Sequence, residues 1–89
     1  MKKVSVIVPV YNAAEFLAET LDTILNQTLE DIEVIAVNDG SADNSWEILE
    51  DYAARDTRMH IIDQKNGGPS AARNNGLNHA EGEYVFFFD

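Results

Sequence analysis

Val4-Ser5-Val6-Ile7-Val8-Pro9-Val10-Tyr11-Asn12 decides the fold: a nearly unbroken β-branched run that ends at a proline. Valine and isoleucine are stiff at χ1 and pack well on a pleated surface. A half-exposed strand would alternate apolar with polar residues. This run does not, so it reads as a strand covered on both faces, as in parallel sheets. Pro9 removes an amide donor where the ladder stops. Parallel neighbours cannot be joined by a tight hairpin, so a helical crossover has to follow.

The rest of the chain supplies those crossovers. Leu17, Leu21, Ile24 and Leu25 fall at i, i+4, i+7 and i+8 on one helical face, with Glu15, Glu19 and Asp22 on the other. A second strand, Glu33-Val34-Ile35-Ala36-Val37-Asn38, leads into the polar turn Asp39-Gly40-Ser41. Asp43 or Ser45 caps a second helix carrying Ile48, Leu49, Tyr52 and Ala53, with Trp46 as a packing residue. Met59-His60-Ile61-Ile62 is a short third strand, followed by the loop Gln64-Lys65-Asn66-Gly67-Gly68. Pro69 suits the first turn of a third helix, whose Ala71, Ala72, Gly76 and Leu77 permit close packing on a sheet. Glu81-Gly82-Glu83 turns the chain into a fourth strand, Tyr84-Val85-Phe86-Phe87-Phe88, which reads as buried and is followed by Asp89.

The order β-α-β-α-β-α-β predicts an α/β fold with right-handed crossovers. If the fourth strand adds beyond the first, the sheet order is 3-2-1-4, with a crevice between strands one and four. Ligands in such sheets bind at the carboxyl ends of the strands, which here carry Tyr11-Asn12, Asp39-Gly40 and Asp89.

Composition bounds the function. A chain of 89 residues is one small domain or part of a larger one. Without cysteine there are no disulfides and no thiolate metal sites, which suits a cytoplasmic setting. The apolar stretch after Met1-Lys2-Lys3 is short, broken by Ser5 and Pro9, and lacks a small-residue cleavage site, so it is not a signal peptide. A net charge of -10 argues against nucleic-acid binding. It also opposes an anionic nucleotide unless a divalent cation and backbone amides offset the repulsion. Most of the carboxylates are a solvated surface.

Each candidate segment has a plainer alternative. Tyr11 can lay its ring along a flat base, or Pro9 to Asn12 can simply end a strand and cap a helix with asparagine. Asp39 can accept an imide or hydroxyl proton from a ligand, or close an Asx-turn. Asp43 reads as a helix cap. Gly67 and Gly68 before a helix start offer amides to an anion, but the loop matches neither common phosphate cradle. Arg73 pairs with a ligand, with Asp39 or Asp89, or with a surface carboxylate. His60 and His79 stand singly and read as structural or exposed. The serines lack a nucleophile-elbow context.

Taken together, four segments in order resemble glycosyltransferase family 2. Val4 to Asn12 looks like the family's opening strand, and Val37-Asn38-Asp39-Gly40-Ser41-Ala42-Asp43 like its second motif, with Asn38 in place of the first of two aspartates. Asn66-Gly67-Gly68 with Ala72-Arg73-Asn74-Asn75-Gly76 looks like the third motif, and Tyr84 to Asp89 like the strand entering the DXD motif. The resemblance implies a Rossmann-like, three-layer α/β/α half-domain of GT-A type. Its implied activity is inverting transfer of a sugar from a nucleoside diphosphate, usually UDP, to a hydroxyl acceptor such as a glycan or lipid. That activity belongs to cell-surface polysaccharide synthesis, at the cytoplasmic face of the membrane. Pro9, Val10 and Tyr11 would line the nucleoside, Asp39 would bond the base, and Arg73 would close the pocket. Asp89 would be the first DXD carboxylate, near the ribose and a Mg²⁺ or Mn²⁺ ion on the diphosphate.

The second DXD aspartate and the general base fall outside residues 1 to 89, so the 89 residues alone are expected to be inactive. An unprotected Tyr84 to Phe88 edge is expected to promote self-association. Two other α/β classes fit less well. A nucleotidyltransferase calls for a basic, glycine-rich loop after strand one, where Tyr11-Asn12-Ala13-Ala14 stands. A receiver domain calls for an acidic pair there and a phospho-acceptor aspartate after strand three. A nucleotide-binding module without turnover is the remaining alternative.

Overall fold

A computed structural model of the chain describes residues 3–27 and 31–88, so Asp89 and the roles implied for it lie outside the described residues. The elements run β1 (Val4–Val10), α1 (Ala14–Leu25), β2 (Ile32–Asp39), α2 (Ser45–Arg55), β3 (Met59–Gln64), α3 (Pro69–His79) and β4 (Tyr84–Phe87). All three strand pairings are parallel and the order is β3-β2-β1-β4, as the sequence predicts. Strands two and three each extend beyond the predicted runs, to Asp39 and Gln64.

Period-two alternation sorts the sheet residues onto two faces. Val4, Val8 and Val10 of β1 and Ile32, Val34 and Ala36 of β2 pack with Leu17, Leu21 and Ile24 of α1 and Leu49 and Tyr52 of α2. Each fully buried aliphatic side chain there contributes about 1.5–3 kcal/mol. Trp46 packs against this cluster, as its place on the second helix suggests. The opposite face carries Ile35 and Val37 under Ala72 of α3, which completes three layers. α3 lies close to the sheet because its inner face is small. A Cβ added at Gly76 would stand 2.6 Å from Ile7 Cγ2. Leu77, expected to join that contact, is instead exposed.

One polar cluster inside the sheet is invisible to apolar patterning. Glu33, 2% exposed, accepts the Ser5 hydroxyl at 2.6 Å and the Glu81 amide at 2.7 Å. The Gly82 amide in turn donates to Ser5 Oγ at 2.9 Å. A buried carboxylate is tolerated when its oxygens are hydrogen-bonded. This one fixes the turn from α3 into β4 over the amino-terminal ends of β1 and β2.

The fourth strand corrects an expectation. Tyr84 and Phe86 are 58% and 59% exposed, and Phe87 and Phe88 are also exposed. Among the described residues β4 pairs with β1 alone and lies at the sheet edge, so the apolar run that reads as buried is exposed there.

Candidate functional site

The β1–α1 turn begins with Tyr11, whose ring is exposed beyond the end of β1. Asn12 follows in the left-handed region at φ 48°. Asparagine tolerates that conformation better than most residues. It is not the helix cap that the sequence suggests, since Ala13 occupies that position. The Asn12 side chain instead braces the neighbouring turn. Its Oδ1 accepts the Ala42 main-chain amide at 2.7 Å, and the Asn12 main-chain N–H donates to Ser41 Oγ at 3.0 Å.

Two further bonds extend the brace, from the Ala13 amide to Ser45 Oγ at 3.1 Å and from the Ala14 amide to Asp43 Oδ2 at 3.1 Å. Asp43 also accepts the Ser45 amide at 3.0 Å, so one carboxylate serves the starts of α1 and α2 together. A negative charge at two helix amino-termini is favourable. Its hydrogen bond from the Ser45 hydroxyl, with the two amides, outweighs burial and holds the Asp43 carboxyl below its ordinary value.

At the end of β2, Asp39 is 3% exposed and all of its donors come from the β3 end and the β3–α3 loop. Its Oδ1 accepts Gln64 Nε2 at 2.8 Å and the Gly67 amide at 2.7 Å. Its Oδ2 accepts the Gly68 amide at 3.0 Å and, at 3.4 Å, Asn66 Nδ2. Burial pushes the carboxyl pKa up, but the hydrogen bonds from Gln64, Gly67 and Gly68 together outweigh it and hold the pKa below its ordinary value. The glycine amides read in the sequence as offered to an anion do bind one, and it is Asp39. Gly68 at φ 94° and Gly40 at φ 70° take conformations that favour glycine. A Cβ at Gly40 would also meet the Asn66 amide nitrogen at 2.8 Å.

A cavity of about 460 Å³ opens above these groups, lined by Pro9, Val10, Tyr11, Ala13, Asp39, Asn66, Gly68, Pro69 and Ala72. Its walls are apolar and its polar groups few, the usual makeup of a small-molecule site. The sequence places the crevice between strands one and four. The cavity lies instead over the ends of β1 and β2, because the loop tied to Asp39 folds across them. A second, apolar cavity of about 280 Å³ lies on the α1 side of β1 and reaches Phe16 and Phe88.

Of the sequence candidates, Pro9, Val10, Tyr11 and Asp39 therefore meet at one cavity. Arg73 stands half-buried on α3 beside the lining residue Ala72 and is not itself in the lining. Sequence reading missed Gln64 and Asn66, which hold Asp39. The signal for Gln64 was its pairing with Asp39 across β2 and β3, which needs the register. His60 is half-exposed near Glu33 and His79 is exposed.

Among the described residues no three His, Cys, Asp or Glu side chains gather as a cation site. They do not by themselves fit the Mg²⁺ or Mn²⁺ that the resemblance implies. No described helix is long and apolar enough to cross a membrane.

Comparison with known proteins agrees with the geometry. The chain is 56% identical over 86 residues to the uncharacterized Bacillus subtilis glycosyltransferase EpsJ, covering 97% of this chain and 25% of that protein. It is 51% identical over 87 residues to the Streptococcus pneumoniae glycosyltransferase GlyA, covering 98% of this chain and 12% of that one. The chain thus spans a quarter or less of these relatives' length.

The crystal structure of S. aureus TarS 1-349 in complex with UDP-GlcNAc superposes with a TM-score of 0.90 at 37% identity, over 98% of this chain and 26% of that one. The Pyrobaculum calidifontis mannosyltransferase PcManGT, in complex with GDP-Man and Mn²⁺, gives 0.86 at 32% identity, over 93% of this chain and 26% of its own. The family model for glycosyl transferase family 2 matches residues 5–89, and the chain belongs to that family.

Proposed function

We propose that the cavity over β1 and β2 seats the nucleoside of a nucleoside diphosphate sugar, UDP-linked, with Tyr11 along the base and Asp39 accepting its imide proton. Pro9 and Val10 form the wall, and Arg73 approaches from α3. One observation carries this reading: a hydrogen-bonded carboxylate in the lining of a mainly apolar cavity that also holds Tyr11. The nucleotide sugars bound to TarS and to PcManGT support it. The intact protein would transfer a hexosyl group, with inversion, to a hydroxyl acceptor at the cytoplasmic face of the membrane. Asp89 would begin the site for Mg²⁺ or Mn²⁺ there. The 89 residues alone are proposed to bind the nucleotide without turnover.

An amide NMR titration of the chain with UDP, with and without Mg²⁺, tests the binding step. Shifts gathered at Tyr11, Asp39 and Gly68 are expected. A well-dispersed spectrum that does not move at millimolar UDP would sink the proposal.

We also propose that the chain self-associates through the open edge at Tyr84 and Phe86, which exposes unpaired backbone beside large apolar side chains. Sedimentation should reveal dimers that become more abundant with added salt, as screening relieves the charge of -10. Phe86→Lys should shift the population to monomer. A wild-type chain that stays monomeric at high concentration and high salt contradicts this.

A further inference from the structure

Asp39 has less to offer a ligand than its position suggests. An ionised carboxylate has about four acceptor positions. Gln64 Nε2, the Gly67 amide and the Gly68 amide fill three of them, at 2.8, 2.7 and 3.0 Å. The fourth holds Asn66 Nδ2 at 3.4 Å, long for a hydrogen bond. The same amide already donates to the Asp39 main-chain oxygen at 3.0 Å. A ligand N–H can therefore displace the long contact at Oδ2 and leave Asn66 bonded.

Oδ1 has no such opening. Gln64 cannot easily turn away from it, because Asn75 Nδ2 on α3 donates to Gln64 Oε1 at 2.8 Å. That bond orients the amide with Nε2 towards Asp39 and Oε1 towards α3.

We propose that Gln64, oriented by Asn75, is a specificity-determining positioning residue that makes Asp39 a single-acceptor carboxylate. It thereby selects a base with one edge N–H over a base with two. The inference rests on the proposed nucleoside site. Uracil presents one imide N–H between two carbonyls, and Oδ2 alone satisfies it. Guanine presents two adjacent donors, a ring N–H and an exocyclic amine, that pair with a carboxylate through both oxygens. With Oδ1 occupied, one guanine donor enters the cavity without a partner, which disfavours binding. Discrimination then comes from the acceptor count and needs no steric block.

The test is a pair of amide NMR titrations, with UDP and with GDP, on the wild-type chain and on Gln64→Met and Asn75→Ala. Wild type should prefer UDP by about tenfold or more, the typical consequence of one unpaired buried donor. Gln64→Met keeps the side-chain length and frees Oδ1, so the preference should fall to about threefold or less. Asn75→Ala leaves Gln64 in place but unoriented, and should narrow the preference part of the way. It carries the test if Gln64→Met does not fold.

A purely structural role for Gln64 would weaken both nucleotides alike and leave their ratio unchanged, which would overturn the inference. A wild-type preference for GDP would overturn it as well, while leaving the nucleoside site standing. If wild type binds neither nucleotide, the nucleoside reading itself fails and the inference falls with it.

Discussion

Asp39→Ala is expected to cost the chain about 3–5 kcal/mol of stability and to abolish the UDP-induced shifts. The substitution leaves Gln64 Nε2 and the Gly67 and Gly68 amides without the acceptor that gathers them. Hydrogen bonds to a charged group are worth about 1.5–3 kcal/mol each, and water entering from the cavity recovers part of the loss. In a domain of this size each kcal/mol moves Tm by about 4–8 °C.

The effect depends on pH in a fixed direction. Burial raises the Asp39 carboxyl pKa, but its hydrogen bonds from Gln64 and the two glycines hold it below the ordinary value. A carboxyl with a lowered folded-state pKa stabilises fully above its unfolded-state value of about 3.9. That contribution is lost as pH falls through the lower folded-state value. The gap between wild type and Asp39→Ala should therefore hold from pH 7 to pH 5 and shrink below pH 4. Urea midpoints at matched m-values measure it. A gap under about 1 kcal/mol at pH 7 would mean that the loop does not depend on this carboxylate.

Asn38→Asp is the second large effect, expected to cost about 2–4 kcal/mol at pH 7. Asn38 is 4% exposed and its Nδ2 donates to Asp63 Oδ1 at 2.9 Å, across the pairing of β2 with β3. The substitution replaces that donor with a second carboxylate. Burial and the like charge both raise the pKa of the introduced carboxyl. A raised folded-state pKa gives a deficit that is small below about pH 3.9, where the group is protonated in both states. The deficit grows as pH rises towards the folded-state value and is constant above it.

Adding Asp63→Asn should restore most of the loss by reversing donor and acceptor. An Asn38→Asp variant as stable as wild type at pH 7 would detach Asn38 from its neighbour. Where the family motif has the first of two aspartates, Asn38 here donates to Asp63 on the adjoining strand. Asn38 Oδ1 has no partner in the structure and is buried, which places the weight of the contact on the amide nitrogen.

Strand identity is legible because β1 and β2 lack polar alternation, and a parallel, doubly covered sheet follows from that. Asp39 was legible as an acceptor at a strand end. Its actual partners were not, since they depend on the register that sets Asp39 opposite Gln64, and a slip of one residue would send Gln64 to the other face. The Gly67-Gly68 amides are legible as anion donors, but no local pattern reveals that the anion belongs to the chain itself. The run at Tyr84 to Phe88 misled because hydrophobicity records that a strand is meant to be covered without saying by what. The bracing role of Asn12 is not legible in the sequence, because its partners across the brace lie on the next crossover.

That brace also bears on when the site forms. Its four bonds join residues 29, 32, 29 and 30 positions apart. The turn that carries Tyr11 thus holds little shape of its own and acquires it when β2 docks beside β1. Contacts of such sequence separation incur loop-closure entropy before they stabilise anything. During synthesis, Tyr11 would leave the ribosome as part of an unstructured turn and be set in place only once Asp43 and Ser45 have emerged. Ligand recognition here is assembled from two crossovers at once, so neither turn can lengthen alone without loosening the other.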